Sequence, residues 1–346
     1  MDTEQQDTEQ QDTGQQDTGQ QGWDRGAPLD PEFVDTEVKA KAELVRGDFG
    51  RWELPGGGHA LREELTGQPE RLFLFRLPDE RWYAGYKTIS DLVVDHDLPG
   101  VFCSRVFWFN VVGLVESVRT SDSDARVVFR PLPEADRRAA FDAITPLTEL
   151  VHPFAKQREH GREKTSPADG WRVSAERAEF LGLGERHIRD YTRALFGPRF
   201  TDLDHDVLAY DPACSTGQFL SDFATLNPAR IRTVGQDLSG HMVDFARAHL
   251  ERVHHGDAER PAVAPGSVDI LFSRFLNSEV VTTAAARRIL PRLVESVRPG
   301  GTLVLLGHSP VLLDVPDLTA AGLVVRQTTA RVEDHLFQYY VCELGG

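Results

Sequence analysis

Residues 207–223 read VLAYDPACSTGQFLSDF, and this stretch decides the fold. Residues 207–210 form a short apolar strand, and residues 211–217 a loop of small side chains. Phe219, Leu220 and Phe223 then share one face of a helix. Strand, tight loop and helix make the first unit of an open parallel α/β sheet. Such sheets bind nucleotide-like ligands at the carboxyl ends of their strands.

Working outward, the alternation continues downstream. Residues 231–235 are a strand leading into Asp237, and a helix follows through Met242, Phe245 and Leu250. Residues 252–255 are a short strand ending at Gly256-Asp257. Residues 268–273 (VDILFS) are a strand and residues 284–297 a helix. Residues 298–302 (RPGGT) turn into a strand over 303–307, and residues 324–332 and 335–344 form an antiparallel closing pair. Strands alternating with helices predict a parallel sheet covered on both faces.

Upstream the signals differ. Residues 2–21 repeat a five-residue unit, DTEQQ twice and then DTGQQ twice. A period of five offers no apolar face to helix or strand, so residues 1–30 are expected to be a disordered acidic tail. Residues 31–156 are expected to be a mixed α/β domain on the acceptor side of the site. Helical periodicity covers residues 37–45 and 134–151, strands are read at 72–77 and 125–129, and aromatic residues 101–118 belong to the core. Residues 157–173 are polar and carry Pro and Gly, as a linker does. Residues 174–346 then form the ligand-binding domain. Its first helices are one capped by Ser174 and one over 185–196 stopped by Gly197-Pro198.

Composition narrows the function. The chain has 346 residues, enough for about two domains. Its net charge of −16 repels phosphate backbones, which argues against nucleic acid and anionic membranes as partners. No apolar run reaches bilayer length, and the polar N-terminus is not a secretory signal. Cys103, Cys214 and Cys342 are too scattered for a disulfide framework or a zinc site, so the expected location is a reducing cytoplasm and no metal is expected. His254 and His255 are adjacent on a strand and point to opposite faces, unlike paired metal ligands.

Three acids fall where the ligand should lie: Asp211, Asp237 and Asp257 close the first, second and third strands. A carboxylate past the second strand can accept both hydroxyls of a ribose, and one past the third can take an adenine amine. The loop over 213–217 offers backbone N–H groups at close range because its side chains are small.

The order of these motifs resembles the class I S-adenosylmethionine-dependent methyltransferases over residues 190–346. YDPACSTGQF stands for the first motif, VGQDLSGHM for the second and HHGD for the third. VDILFSRFLNSE stands for the fourth, and RPGGTLVLLG for the entry to the fifth strand. The resemblance implies a Rossmann-like seven-stranded sheet with its last pair antiparallel, and S-adenosyl-L-methionine as group donor. It implies cofactor contacts at Asp211, Ala213, Ser215, Gly217, Asp237, Leu238, Asp257, Ala258 and Ser273. The chain departs from the family at Ala213 and Ser215, where glycine is usual. Adenine-specific DNA methyltransferases share DPAC-x-TG but need an Asn/Asp-Pro-Pro-aromatic motif after the fourth strand. This chain has SRFLNSE there.

A sulfonium offers three carbons to a nucleophile, and the choice depends on positioning. The loop departures, FLNSEVV and the tyrosine-bearing helix before the first strand are similar to a small group that includes isonocardicin synthase and azetidine-carboxylate cyclases. That similarity implies transfer of a 3-amino-3-carboxypropyl group to a phenol of a small antibiotic precursor, with 5′-methylthioadenosine released. Methyl transfer, cyclisation to azetidine-2-carboxylate, and a non-catalytic cofactor sensor or scaffold are the competing readings. Candidate catalytic residues are Glu279 and Asn277 in the loop after the fourth strand, and Tyr191, whose ring can face a sulfonium. Tyr191 also shares a helical face with Ile188 and Leu195, which suits a core position equally. His187 and His308 are further candidates for the acceptor side.

Overall fold

The computed structural model describes residues 31–64, 71–88, 105–121, 124–152, 166–175, 178, 186–278, 280–307 and 310–345. The repeat tail, most of the expected linker, the start of the helix pair before the first strand, Glu279 and His308 lie outside these residues.

The N-terminal half contains α1 (Pro31–Arg46), β1 (His59–Glu64), β2 (Leu72–Arg76), β3 (Trp82–Tyr86), β4 (Val106–Phe107), β5 (Val111–Thr120), β6 (Asp124–Pro131) and α2 (Glu134–Asp142). All but β4 build one antiparallel sheet in the order β1-β6-β5-β3-β2. The strand LFLFR is apolar through Phe75 because both faces are covered there, and its last residue, Arg76, is exposed. Leu72 and Leu74 pack with Leu44 of α1, while Phe73 and Phe75 pack with Ala140 and Phe141 of α2. The helix expected over 134–151 ends at Asp142 instead. Pro146 lacks the N–H a helix needs and biases Thr145 away from helical backbone. The chain then runs extended, and Val151 exchanges backbone hydrogen bonds with Leu74.

The C-terminal half is the predicted alternation. It comprises α3 (Arg186–Phe200), β7 (Val207–Asp211), α4 (Gln218–Ala224), β8 (Ile231–Asp237), α5 (Gly240–Ala246) and β9 (Val253–His255). It continues with β10 (Val268–Ser273), α6 (Thr283–Ser296), β11 (Val297–Leu306), α7 (Val315–Ala320), β12 (Leu323–Val332) and β13 (His335–Leu344). The strand order is β12-β13-β11-β10-β7-β8-β9, parallel from β11 to β9, with β13 antiparallel to both neighbours. Every residue of the central strand β10 is buried, which suits its apolar run Ile270–Phe272, while the buried Asp269 is paired with Arg298. Helices cover both faces: Phe196, Phe219 and Phe223 meet Phe272 on one, and Ile289 and Leu293 of α6 meet Leu271 and Leu303 on the other.

Two local expectations are corrected. Helix α3 does not stop at Gly197-Pro198 but continues to Phe200. Phe200 is buried against Phe196 and Phe223, and that burial outweighs the single bond proline removes. The RPGG segment lies inside β11 rather than before it, and is absorbed as a register shift between the pairs Val268–Val297 and Ile270–Thr302.

The two halves share a strand pairing. Strand β4 pairs antiparallel with the start of β13, through Phe107–His335 and Val106–Leu336. The Tyr340 hydroxyl donates to Glu149 at 2.9 Å, and Gln338 Nε2 donates to the Leu150 carbonyl at 2.6 Å. From β7 the chain moves outward to β8 and β9, then returns across to β10 and β11. The switch point is therefore between β7 and β10, and a crevice opens at their carboxyl ends.

Candidate functional site

The loop after β7 rests directly on β8 because Gly235 has no side chain. A Cβ at Gly235 would stand 2.8 Å from Cys214 Sγ. Cys214 N–H donates to the Gln236 carbonyl at 2.8 Å, which stitches the loop to the second strand. Ser215 N–H then donates to Asp237 Oδ2 at 2.8 Å, and Ser239 N–H to Asp237 Oδ1 at 2.9 Å. Burial pushes the Asp237 carboxyl up from its ordinary range, while the two N–H donors pull it down. Two more hydrogen-bond donors, such as a ribose diol, would favour the ionised form further.

Gly217 takes φ +78°, a left-handed conformation that favours glycine, and a Cβ there would stand tightly against Leu250 at 3.1 Å. Ser215 adopts φ +53° without being glycine. Left-handed backbone costs a non-glycine residue about 1–2 kcal/mol, so Ser215 is strained where the family usually places glycine. Restoring glycine removes that strain but adds about 0.5–1 kcal/mol of unfolded-state entropy. Ser215→Gly is therefore expected to leave stability unchanged or raise it by up to about 1 kcal/mol, whereas Ser215→Val should lower it by about 1–2 kcal/mol. Urea unfolding of the pair checks this, and a Ser215→Gly variant less stable than Ser215→Val would contradict it.

Asp211 is not free to meet a ligand as a lone carboxylate. Its Oδ2 accepts from Arg274 Nε at 2.8 Å, with the two side chains only 0% and 8% exposed. Its Oδ1 accepts from Ala213 N–H at 3.0 Å. Arg274 also donates from Nη2 to the Cys214 carbonyl at 3.0 Å and lies over the Phe219 ring. One guanidinium thus fixes the loop after β7 to the end of β10.

On the second and third strands, Leu238 is 40% exposed beside Asp237, an apolar surface suited to a flat base. Asp257 is exposed and accepts from Glu259 N–H at 2.9 Å, and Ala258 is buried. A cleft of about 550 Å³ opens beside them, lined by Gln236, His255, Asp257, Arg260 and Ala262. It borders Asp257 but includes no residue of the loop after β7, so it flanks the site rather than forming it.

At the end of β10, Ser273 Oγ and Asn277 Oδ1 are buried with no hydrogen-bond partner among the described residues. Asn277 is held in one orientation. Its Nδ2 donates to the Leu306 carbonyl at 3.1 Å, which leaves the acceptor oxygen unmatched. The fit depends on Gly307, where a Cβ would overlap Asn277 Nδ2 at 1.7 Å. The loop is fastened further by Ser278 N–H to the Pro310 carbonyl. Buried acceptors without donors are uncommon and costly, and a ligand donor would satisfy them.

The other sequence candidates fall elsewhere. The Tyr191 hydroxyl accepts from Gln327 Nε2 at 2.7 Å, and its ring packs edge-on against Phe337 and Tyr339. It belongs to an aromatic layer between α3 and β12–β13, and burial raises its hydroxyl pKa. His187 packs on Phe337 in the same layer. Cys214 is buried, and desolvation followed by repulsion from Asp211 and Asp237 pushes its thiol far up, so it is a poor nucleophile. Among the described residues no group of three or more His, Cys, Asp or Glu side chains is placed to hold a metal, and no helix is long and apolar enough to cross a membrane. Sequence reading missed Arg274 and Ser239. Arg274 had one signal, a lone cation directly after an apolar strand. Ser239 had its N-cap position before a helix, where its hydroxyl accepts from Met242 N–H.

The residues suit S-adenosylmethionine: a carboxylate for ribose, an apolar surface for adenine, a close-packed loop with a glycine, and two unmatched buried acceptors near the loop. The methyltransferase-domain family matches residues 209–301. Isonocardicin synthase of Nocardia uniformis subsp. tsuyamanensis is 37% identical over 248 residues, which cover 70% of this chain and 80% of that protein. A SAM-dependent methyltransferase from Aquifex aeolicus aligns in structure at 14% identity and TM-score 0.39, covering 50% of this chain and 100% of that one. The geranyl diphosphate C-methyltransferase of Streptomyces coelicolor A3(2), in complex with Mg2+, geranyl diphosphate and S-adenosyl-L-homocysteine, aligns at 13% identity and TM-score 0.36, covering 53% and 90%.

Proposed function

Because the chain belongs to the class I S-adenosylmethionine-dependent methyltransferase-like family that includes isonocardicin synthase, we propose that it transfers the 3-amino-3-carboxypropyl group to a phenolic hydroxyl of a small antibiotic precursor. At the coarser level the chain is an S-adenosylmethionine-dependent transferase of secondary metabolism acting on a small molecule. The observation that carries the finer reading is the identity with isonocardicin synthase along most of that protein's length.

S-adenosylmethionine supplies an electrophilic carbon on a sulfonium, whose departure as a neutral thioether needs no acid. The chain's own work is therefore holding and orienting. Asp237 accepts the ribose hydroxyls, with Ser215 and Ser239 N–H groups fixing its carboxylate. Leu238, Asp257 and Ala258 receive the adenine. Ala213, Ser215 and Gly217 set the wall beside the methionine arm, and Asp211 acts through Arg274 to keep that wall in place. Ser273 and the fixed Asn277 oxygen accept from donors on the arm. Glu279, in the same loop by sequence, takes the phenolic proton.

The test is the identity of the nucleoside product with S-adenosylmethionine and a set of phenolic amino acids. 5′-Methylthioadenosine together with an acceptor heavier by the aminocarboxypropyl group is expected. S-adenosylhomocysteine as the product would overturn the proposal. It would favour the second reading, methyl transfer, to which the domain match over residues 209–301 lends weight. 5′-Methylthioadenosine with azetidine-2-carboxylate, formed without acceptor, would assign cyclisation instead.

A further inference from the structure

Between the end of the N-terminal half and the loop after β11 lies a small cavity. Its volume is about 20 Å³, room for one water-sized group, and Glu149, His152, Val311, Asp314, Gln338 and Tyr340 line it. Most of this wall is already matched. Gln338 uses both ends of its amide: Oε1 accepts from Val311 N–H at 3.1 Å, and Nε2 donates to the Leu150 carbonyl. Glu149 Oε1 accepts from Tyr340 O–H at 2.9 Å and from Val315 N–H at 3.3 Å, and Asp314 Oδ1 accepts from Asp317 N–H at 3.0 Å. His152 is the exception. It is 7% exposed, and neither ring nitrogen has a hydrogen-bond partner among the described residues. Burial, and then the charge of Lys87, hold the ring well below the usual histidine range, so it is neutral and one nitrogen is an acceptor.

Burial raises the pKa of the Tyr340 hydroxyl, and the charges of Glu149 and Asp314 raise it further, so both carboxylates lie near it. Two carboxylates outweigh the single cation of Lys87, and the wall is negative and rich in acceptors. We propose that this cavity receives a primary ammonium group of the small-molecule acceptor. An ammonium is close to water in size and carries three donors, and Glu149, Asp314 and His152 supply three acceptors. Position links the cavity to the reacting centre. Val311 lines it and bridges antiparallel to Asn277, whose side-chain oxygen faces the site without a donor. No residue of the loop after β7 lines it, so the ammonium is the acceptor's rather than the donor's. An acceptor anchored here at one end holds its other end toward the loop after β10. An acceptor without the amine would desolvate the negative wall and give it no cation in return, so the cavity selects for the amine. The proposal rests on the reading of the chain as a transferase with a small-molecule acceptor, and not on which carbon is transferred.

The experiment is isothermal titration of the full chain, saturated with S-adenosylhomocysteine, against two matched pairs of phenols. 4-Hydroxybenzylamine is compared with 4-methylphenol, and tyramine with 4-ethylphenol. At least one amine should bind about tenfold or more tighter than its partner. Glu149→Gln keeps an oxygen for Tyr340 and Val315 but removes the charge, and should cut that preference to about threefold or less. Asp314→Asn keeps a capping residue for α7 and should cut it likewise, as should His152→Leu, which removes the acceptor nitrogen. The two near-isosteric amides carry the test if His152→Leu does not fold. Their affinity for S-adenosylhomocysteine should stay within about twofold of the unaltered value, which also shows that they are folded. Equal affinities within both pairs in the unaltered protein, the result of a cavity that holds only water, would overturn the proposal. So would an amine preference that survives Glu149→Gln. A loss of S-adenosylhomocysteine affinity of about tenfold in Glu149→Gln would give the cavity to the donor's amine and overturn it as well. No turnover is involved, so an unexpected nucleoside product would count against the transfer reading alone.

Discussion

Asp237→Ala is expected to weaken binding of S-adenosylhomocysteine by about 10²–10³-fold, the loss of two hydrogen bonds to a charged acceptor at about 1.5–2 kcal/mol each. The folded state should survive, because Asp237 is also an electrostatic burden. Burial raises its pKa, so folding makes the carboxylate harder to ionise than it is in the unfolded chain. Between the ordinary carboxylate range and that raised value, the folded chain binds more protons than the unfolded one. The contribution of Asp237 to stability therefore falls as pH rises through this window. Ligand affinity runs the other way, since ribose donors prefer the anion: it should climb with pH through the same window and lose that dependence in Asp237→Ala. Isothermal titration across acidic to neutral pH checks both effects. A change in dissociation constant under tenfold would remove Asp237 from the ribose, and with it the placement of the whole site.

Arg274→Leu is expected to be among the most destabilising single changes in the catalytic sheet, at about 3–5 kcal/mol, because it leaves Asp211 buried without its cation. Total stabilities of about 5–15 kcal/mol make that a large fraction of the fold. The cost should come chiefly from the stranded carboxylate rather than from lost attraction. The double variant Arg274→Leu, Asp211→Asn should accordingly recover a good part of it, and a double-mutant cycle by urea unfolding would measure the coupling. It should not recover ligand binding, since the loop holding Ser215 also depends on Arg274 at the Cys214 carbonyl. A single-variant cost under about 1 kcal/mol, within the range of exposed pairs, would show that Asp211 finds other support.

The alternation of strands and helices along the chain was legible because each parallel strand announces itself locally: an apolar run, a small-residue turn, an amphipathic helix. The closing pair was found to within a residue, as β12 (Leu323–Val332) and β13 (His335–Leu344). The positions of Asp237 and Asp257 followed from strand ends alone. What was not legible depends on contacts distant in sequence. Arg274 meets Asp211 across 63 residues, and Ser239 meets Trp171 across 68, with no periodicity to mark either pair. Helix lengths failed where proline was weighed by rule: Pro198 sits inside α3 because Phe200 is buried beyond it, while Pro146, read through, ended the extension of α2. Tyr191 shows the same limit. Its expected face with Ile188 and Leu195 is only partly the buried one, since Leu195 is exposed and the core side runs through Ile188, Thr192, Phe196 and Phe200, and only the fold reveals that its hydroxyl accepts from Gln327.

Strand β4 has a consequence for engineering. Val106 and Phe107 come from the N-terminal half, yet they pair with the first residues of β13, outside the register of β11, in the sheet that carries the cofactor loops. Chimeras that exchange the N-terminal half between relatives, in search of new acceptors, would leave the start of β13 matched to a foreign strand or to none. A graft that moves β4 together with residues 335–336 keeps that seam intact, and is the natural unit for recombination in this protein.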